Sequence, residues 1–272
     1  MGEALLEVRG ATKRYGGLVA VNEVSFTVER GEVFGIAGPN GAGKTTLFDV
    51  VTGMVRASGG EILFEGAPIH TASIHEICHR GITRTFQKPS VFDSETVMGN
   101  VIVGAHFGTG TPWWRAFRRD RDVWQRSVAA LEFVGLADRA EHLSGDLPVY
   151  DKKRLMIASA LASEPKMLFL DEPFGGLTDD EIDALLALLQ RINREQGVTI
   201  VLIEHVMRAL MALADRILIM DQGKMLIQGE PRTVMSDPEV VRVYLGTSAD
   251  AGTDTGAPGS GAAHAHRTAG EQ

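Results

Sequence analysis

The segment "GPNGAGKTT" at residues 38–46 constrains the fold of this chain more than any other. It matches the pattern G-x-x-x-x-G-K-[ST] and lies between an apolar run at residues 32–38 and the helical pattern of residues 45–54. Its glycines let backbone N–H groups turn inward around a polyphosphate, and the start of the helix adds its positive end. We therefore predict a nucleotide phosphate site, in which Lys44 reaches the β and γ phosphates and Thr45 binds Mg²⁺.

Three short apolar runs predict the sheet that carries this loop. Residues 32–38, 166–172 and 198–205 are almost continuously apolar, which is typical of strands covered on both faces by helices. Between the second and third runs, a capping-box pattern of Thr178 and Glu181 begins a helix. Strand, helix and strand in this order predict an α/β fold with a parallel sheet.

Other parts of the chain have different patterns. About the first 30 residues and residues 60–70 alternate as antiparallel strands do, residues 216–230 predict a hairpin that turns near Gln222-Gly223, and the middle is mostly helical. The predicted domains are a nucleotide-binding core with an antiparallel β subdomain (1–87 and 161–246), a helical subdomain (88–160) and a disordered tail (247–272).

Composition argues against several classes of function. A formal net charge of −8 disfavours a protein that binds nucleic acid through a broad basic surface. The apolar runs are much shorter than the roughly 20 residues of a transmembrane helix, and the first residues have no signal-peptide pattern. Cys78 is the only cysteine, which excludes an intramolecular disulfide and fits a reducing compartment. We expect a globular chain that does not itself span a membrane.

The run "MLFLDEP" at residues 167–173 ends in two carboxylates. Asp171 is placed to orient Mg²⁺, and Glu172 to polarise the water that attacks the γ-phosphate. Strands often end in acids at the solvent, so this pattern alone is weak. Together with the phosphate loop it predicts a nucleotide hydrolysis site.

These motifs, in this order, resemble the ATP-binding subunits of ABC transporters over about residues 4–246. The resemblance implies a P-loop NTPase with a RecA-like parallel sheet core, an antiparallel β subdomain and an inserted α-helical subdomain. Gln87 in "RTFQ" is similar to the family's Q-loop glutamine, His205 in "LIEH" to its switch histidine and Tyr15 in "KRYGG" to its adenine-stacking aromatic. Each of these three residues alone would be read as an ordinary surface or strand-end residue; their order around the two motifs favours the functional interpretation.

The resemblance also implies a role for each matching residue. The expected catalytic residues are Glu172, His205, Gln87 and Lys44, and the expected Mg²⁺ ligands are Thr45, Gln87 and Asp171. The residues expected to bind ATP are Tyr15, Gly38, Pro39, Asn40, Gly41, Ala42, Gly43, Lys44, Thr45 and Thr46.

Finer features point to a subgroup. "RYGGLVAVNEVSF", "GITRTFQ" and "DPEVVRVYLG" are similar to segments of the ATPases of branched-chain amino acid importers and their urea and amide relatives. This resemblance implies a second ATP-binding subunit (a heterodimer being favoured over a homodimer), two transmembrane permease subunits and, indirectly, a periplasmic solute-binding protein. It places the chain peripherally on the cytoplasmic face of the inner membrane, without a nucleic-acid partner. The ATPase of a lipid or lipopolysaccharide ABC system and a non-transport ABC ATPase remain alternatives.

The family's signature loop reads Leu-Ser-Gly-Gly-Gln before a helix. "LSGD" at 143–146 has similar letters but lies one helical turn too early relative to Asp171, so the aligned stretch is "LPVYD" at 147–151. Pro148 replaces the serine and Tyr150 replaces a glycine, while Asp151 is expected to bring negative charge toward a phosphate, offset in part by Lys152 and Lys153. This loop is expected to bind a partner's nucleotide weakly, which favours an asymmetric heterodimer.

Two segments support other hypotheses. "HEICH" at 75–79 matches the zinc protease pattern H-E-x-x-H, with Glu95 as a conceivable third ligand; the alternative is a short surface helix with Ile74 and Ile77 facing inward. Residues 112–126 place three tryptophans among five arginines, which suits a membrane surface or a membrane subunit, or else a solvated amphipathic helix. Apolar residues around 86–98 are our choice for the permease-docking groove.

Overall fold

The computed structural model describes residues 3–107 and 120–250, and in these ranges the strands form two sheets. The larger sheet contains, in spatial order, β10 (Lys224–Gly229), β9 (Arg216–Asp221), β3 (Val33–Ala37), β8 (Thr199–Ile203), β7 (Met167–Asp171) and β6 (Ile82–Arg84). All neighbours in this sheet are parallel except β10, which pairs with β9 as an antiparallel hairpin. The three apolar runs are therefore its central strands β3, β7 and β8, as predicted.

The smaller sheet is antiparallel, as the alternating pattern predicted. Its spatial order is β2 (Leu18–Glu29), β1 (Ala4–Tyr15), β4 (Gly59–Phe64) and β5 (Ala67–Pro68). The buried side chains of β1, β2 and β4 pack with α1 (Lys44–Val51) against one face of the larger sheet. This packing brings the start of β2 close to the phosphate loop.

Helices cover the other face of the larger sheet. After α1 the described helices are α2 (Ile74–His79), α3 (Val97–Phe107), α4 (Asp120–Val134), α5 (Val149–Leu161), α6 (Asp179–Gln196), α7 (Met207–Leu213), α8 (Pro231–Met235) and α9 (Pro238–Asp250). Helices α3, α4 and α5 pack on one another, and their apolar side chains join those of α6 and α7 in one core. The helical character predicted for the middle of the chain is confirmed where the structure describes it, whereas the proposed domain boundaries remain predictions.

Local signals decided where elements begin and end. Helix α6 starts with the predicted capping box, in which the Glu181 carboxylate accepts from the Thr178 amide at 2.8 Å, and it ends at Gly197 with φ of 67°. The β9–β10 hairpin turns through Gln222 and Gly223, with φ of 43° and 78°. Both residues have a left-handed backbone conformation, and a turn of this kind matches the right-handed twist of the flanking strands.

Some expectations were wrong, and others concern residues outside the described ranges. Ile77 is buried as expected, but Ile74, the first residue of the short helix α2, is 49% exposed. The first four residues of the expected tail, 247–250, belong to α9, and the rest of the tail lies outside the described residues. Most of the Trp and Arg segment, residues 112–119, also lies outside them. Within the described ranges, none of the helices has the length and apolarity needed to cross a membrane.

Candidate active site

The phosphate loop connects β3 to α1 and depends on glycine at two close approaches. Gly38 has φ of 144°, and a Cβ there would collide with the carbonyl oxygen of Met220. Gly43 has φ of 94°, and a Cβ there would collide with the carbonyl oxygen of Ala20. Only glycine therefore lets the loop lie tightly between the β9–β10 hairpin and the start of β2.

Lys44 begins helix α1 with its side chain directed back into the loop. Its Nζ donates to the carbonyl oxygens of Gly38 at 2.7 Å and Pro39 at 2.8 Å. Burial lowers the pKa of this ammonium, while the nearby carboxylates of Glu172 and Asp171 act in the opposite direction. The positive charge is thus held over the loop, where the phosphates of a bound nucleotide would lie.

A cavity of about 460 Å³ opens over the loop. Its lining consists of Leu18, Val19, Ala20, Asn40, Gly41, Ala42, Gly43, Lys44, Thr45, Thr46, Glu172, Gln222 and Gly223. Tyr15 does not line this cavity, but it pairs across the β1–β2 turn with Leu18, which does. Its ring is 47% exposed and has the Lys13 ammonium 4.8 Å from its centroid, which leaves aromatic surface accessible for stacking.

Three predicted site residues from distant parts of the chain meet at one carboxylate. The Gln87 Nε2 atom donates to Glu172 Oε2 at 2.5 Å, and His205 Nδ1 lies 3.7 Å from the same oxygen. Glu172 follows β7 with φ of 47°, a left-handed conformation that is uncommon for a side chain of this size. Such backbone conformations persist where the surroundings enforce them, and they cluster at functional sites.

Asp171 is buried at the end of β7, and sequence analysis missed its partner. Arg84 donates from Nη2 to Asp171 Oδ2 at 2.9 Å and from Nη1 to Asp49 Oδ1 at 2.6 Å. Burial raises the pKa of Asp171, and the Arg84 guanidinium opposes that rise. The available signal was an arginine ending a short strand three residues before Gln87.

The signature-aligned loop differs from expectation in its charges. Asp151 does not face a phosphate: it is buried, and its carboxylate is bound by Arg139 and Arg154. The expectation that Asp151 brings its charge toward a phosphate was wrong, because the guanidinium groups of these two arginines hold the carboxylate. The two lysines are also engaged elsewhere, Lys152 with Asp93 at 2.8 Å and Lys153 with backbone carbonyls.

The other substitutions in this loop remain as the sequence indicates. Pro148 precedes the first turn of α5 and provides no side-chain cap, and Val149 is 51% exposed. The aromatic ring of Tyr150 packs against Arg154, whose guanidinium lies 4.7 Å from the ring centroid. The start of α5 therefore presents apolar side chains where the family has a hydroxyl and glycines.

The zinc hypothesis gains no support from the structure. His75 and His79 are adjacent on α2, with ring centroids 3.8 Å apart. Across residues 3–107 and 120–250, however, no three His, Cys, Asp or Glu side chains are grouped so that they could hold a metal ion.

A phosphate loop after β3, paired carboxylates after β7 and a histidine after β8 define a nucleotide-hydrolysing cassette of the P-loop class. Comparison with known proteins agrees: a family model described as ABC transporter matches residues 21–175. The branched-chain amino acid transport ATP-binding protein BraF of Pseudomonas aeruginosa is 39% identical over 253 residues, which is 90% of this chain and 99% of BraF. LivG of Escherichia coli K12, whose name has the same description, is 36% identical over 255 residues, 90% of this chain and 99% of LivG.

Solved structures show the same relationship. A nucleotide-free ATP-binding cassette from an ABC transporter superposes with a TM-score of 0.79 at 29% identity, covering 89% of this chain and 98% of that one. The ADP conformation of MJ1267, another such cassette, gives 0.80 at 30% identity, covering 89% and 99%. The chain belongs to the ABC transporter family and is an ATPase of that family.

Proposed function

We propose that this chain is the ATP-hydrolysing subunit that energises an importer of branched-chain amino acids or a related small polar solute. The observation that carries the proposal is the convergence of Gln87 and His205 on the Glu172 carboxylate beside the phosphate cavity. This arrangement supplies the proposed base, Glu172, together with two polar side chains that contact it from separate loops. The solute class is supported by the similarity to BraF and LivG, which are branched-chain amino acid transport ATP-binding proteins.

In this proposal each residue performs a step that its position allows. The loop amides of residues 38–46 and Lys44 bind the phosphates, and Tyr15 stacks on adenine. Glu172 accepts a proton from the attacking water, while His205 stabilises the γ-phosphate. Gln87 reports the state of the site to the helices, since it extends from the segment that links β6 to α3.

Magnesium fits the oxygen donors that the structure offers. Thr45 is the second residue of α1 and lines the cavity, and Asp171 has one carboxylate oxygen bound by Arg84, so hydroxyl, carboxylate and the Gln87 amide are the candidate ligands. Hard oxygen donors of this kind suit Mg²⁺. When bound, Mg²⁺ neutralises charge on the β and γ phosphates.

The proposed assembly is a heterodimer of two ATP-binding chains under two permease subunits, served by a periplasmic binding protein. The degenerate loop at 147–151 supports the heterodimer, because a different chain would supply the better signature.

A groove of about 280 Å³ between Phe86, Val103 and Met156 adjoins Gln87 and supports permease docking. Phe86 is 43% exposed there, and burial by a partner would remove that apolar surface from water. Such docking places the chain peripherally on the cytoplasmic face of the membrane.

Reconstitution tests the proposal. The chain is coexpressed with each candidate set of permeases and a second ATP-binding chain, purified as a complex and placed in liposomes. ATPase activity that rises with a leucine-loaded binding protein supports the importer. Stimulation by lipid or lipopolysaccharide instead, or a failure to copurify with any permease, overturns it. The Glu172→Gln complex serves as the control for ATPase activity from contaminating proteins.

A further inference from the structure

Helix α5 sends one buried cation to the backbone that carries the proposed base. Lys153 is 7% exposed, and its Nζ donates to the carbonyl oxygen of Glu172 at 3.2 Å and to that of Pro173 at 2.7 Å. Burying an ammonium is costly unless it is paired, so this contact must be compensated nearby. Burial lowers the pKa of this ammonium, and the carboxylates of Glu204 and Glu172 oppose that change.

Glu204 is the buried anion of this arrangement. It directly follows β8, is completely buried, and accepts three backbone hydrogen bonds. Oε1 accepts from the Phe174 amide at 2.9 Å, and Oε2 accepts from the amides of His205 at 2.9 Å and Val206 at 3.0 Å. Hydrogen bonds to a charged acceptor are stronger than neutral ones, so Glu204 ties the turn after β7 to the loop that carries His205.

The turn at Glu172 is thus held from two sides. Lys153 fixes its carbonyl groups from α5, and Glu204 fixes the Phe174 amide from the end of β8. The strained φ of 47° at Glu172 requires such external support, because an unsupported turn would relax to a more populated conformation. Neither Lys153 nor Glu204 lines the phosphate cavity.

We infer that Lys153 and Glu204 are positioning residues for hydrolysis, which set the backbone at Glu172 and His205 so that their side chains meet. They also connect the helix that follows the signature-aligned loop to the proposed base, so a displacement of α5 moves the Glu172 turn. This inference rests on the roles proposed above for Glu172 and His205. It predicts that hydrolysis, but not ATP binding, depends on two buried charged residues that do not line the cavity.

The test separates kcat from ATP affinity in the purified chain with its cognate partners. Lys153→Met is expected to lower kcat by about tenfold to hundredfold with an unchanged ATP Kd, because displacement of a catalytic group by about 1 Å has effects of this size. Lys153→Arg retains charge and donors and should restore much of kcat. Glu204→Gln loses the charge and should resemble Lys153→Met.

The matched control is Arg126→Met. Arg126 is also a largely buried cation that donates to two carbonyl oxygens, those of Ala162 and Ala105, but it lies on α4 away from the site. It should lower the melting temperature and leave kcat unchanged. If Lys153→Met does not fold, Lys153→Gln, which keeps a donor without the charge, gives the same comparison.

The outcomes distinguish this inference from the proposed function. A native kcat in folded Lys153→Met or Lys153→Gln overturns the inference. So does a loss of kcat that Lys153→Arg does not recover, or a parallel loss of ATP binding. Native turnover in Glu172→Gln would instead reject the assigned base, whatever the lysine variants show.

Discussion

Arg84 joins the carboxylates of Asp49 and Asp171, two residues 122 positions apart by their numbering in the chain. The guanidinium side chain is 8% exposed, and Nη1 and Nη2 lie 2.6 and 2.9 Å from the two carboxylates. It therefore connects α1, which follows the phosphate loop, to the carboxylate proposed to bind Mg²⁺. Arg84 lies three residues before Gln87 in the chain, so its two ion pairs also anchor the start of the segment that carries Gln87.

Removal of Arg84 should destabilise the fold strongly. Arg84→Met leaves two carboxylates without their buried partner, and breaking one side of such a pair costs about 3 to 5 kcal/mol. Urea unfolding followed by circular dichroism measures the change. Arg208→Met is the control. The Arg208 side chain is half-exposed in its ion pairs with Asp179 and Asp183, and exposed pairs contribute less than about 1 kcal/mol. Equal effects of the two substitutions would contradict the structural role of Arg84.

Glu172→Gln should bind ATP and hydrolyse it at least about tenfold more slowly, since the amide cannot accept the proton of the attacking water. The amide oxygen can still accept from Gln87, so the local geometry is retained. Phosphate release and nucleotide binding are measured separately on the same preparation. Glu132→Gln makes the same chemical change at an exposed position on α4 and should leave both unchanged. Near-native turnover in Glu172→Gln would defeat the assignment.

Gly38→Ala should weaken ATP binding by about tenfold or more, because the added Cβ collides with the Met220 carbonyl and forces the phosphate loop out of place. Isothermal titration with ATP measures the affinity. Gly31→Ala is the control for backbone strain alone: Gly31 also has a positive φ, 77°, but no atom lies within 4 Å of the added Cβ. Gly31→Ala should lower the free energy of unfolding by only about 1 kcal/mol and leave ATP affinity unchanged. An unchanged affinity in Gly38→Ala would show that the loop tolerates the displacement.

The signature-aligned loop should limit the activity of the chain when no other ATP-binding chain is present. The double substitution Pro148→Ser and Val149→Gly restores the hydroxyl and one glycine of the family's signature loop at an exposed position. The added glycine should cost about 1 kcal/mol of helix stability. Phosphate release should then rise more steeply with protein concentration than in the native chain, because ATP-dependent homodimers become productive. Val241→Gly, at an exposed position in α9, controls for the added glycine. Strong native homodimer activity would contradict the asymmetric assembly.

Sequence analysis predicted those parts of the site that depend on local pattern. The phosphate loop, the carboxylates after β7 and the histidine after β8 are each marked by a short motif next to a strand, and all lie at the same edge of the sheet because parallel strands end together. It did not predict the contacts of Arg84, Lys153 or Glu204, and it assigned Lys153 only to offsetting the charge of Asp151. Each is a charged residue whose significance comes from a partner 19 or more positions away, and no local pattern marks such a pair.

The sequence by itself determined the three central strands, the β9–β10 hairpin, the phosphate-loop motif and the capping of α6, since hydrophobic periodicity, turn residues and capping act between residues near in the chain. The tertiary structure alone decided where the charges point. Asp151 turned inward, where Arg139 and Arg154 bind its carboxylate, and Lys153 turned toward the Glu172 carbonyl. Charges act on any group that the fold brings near them, so their partners were fixed only when the helices had packed against the sheet.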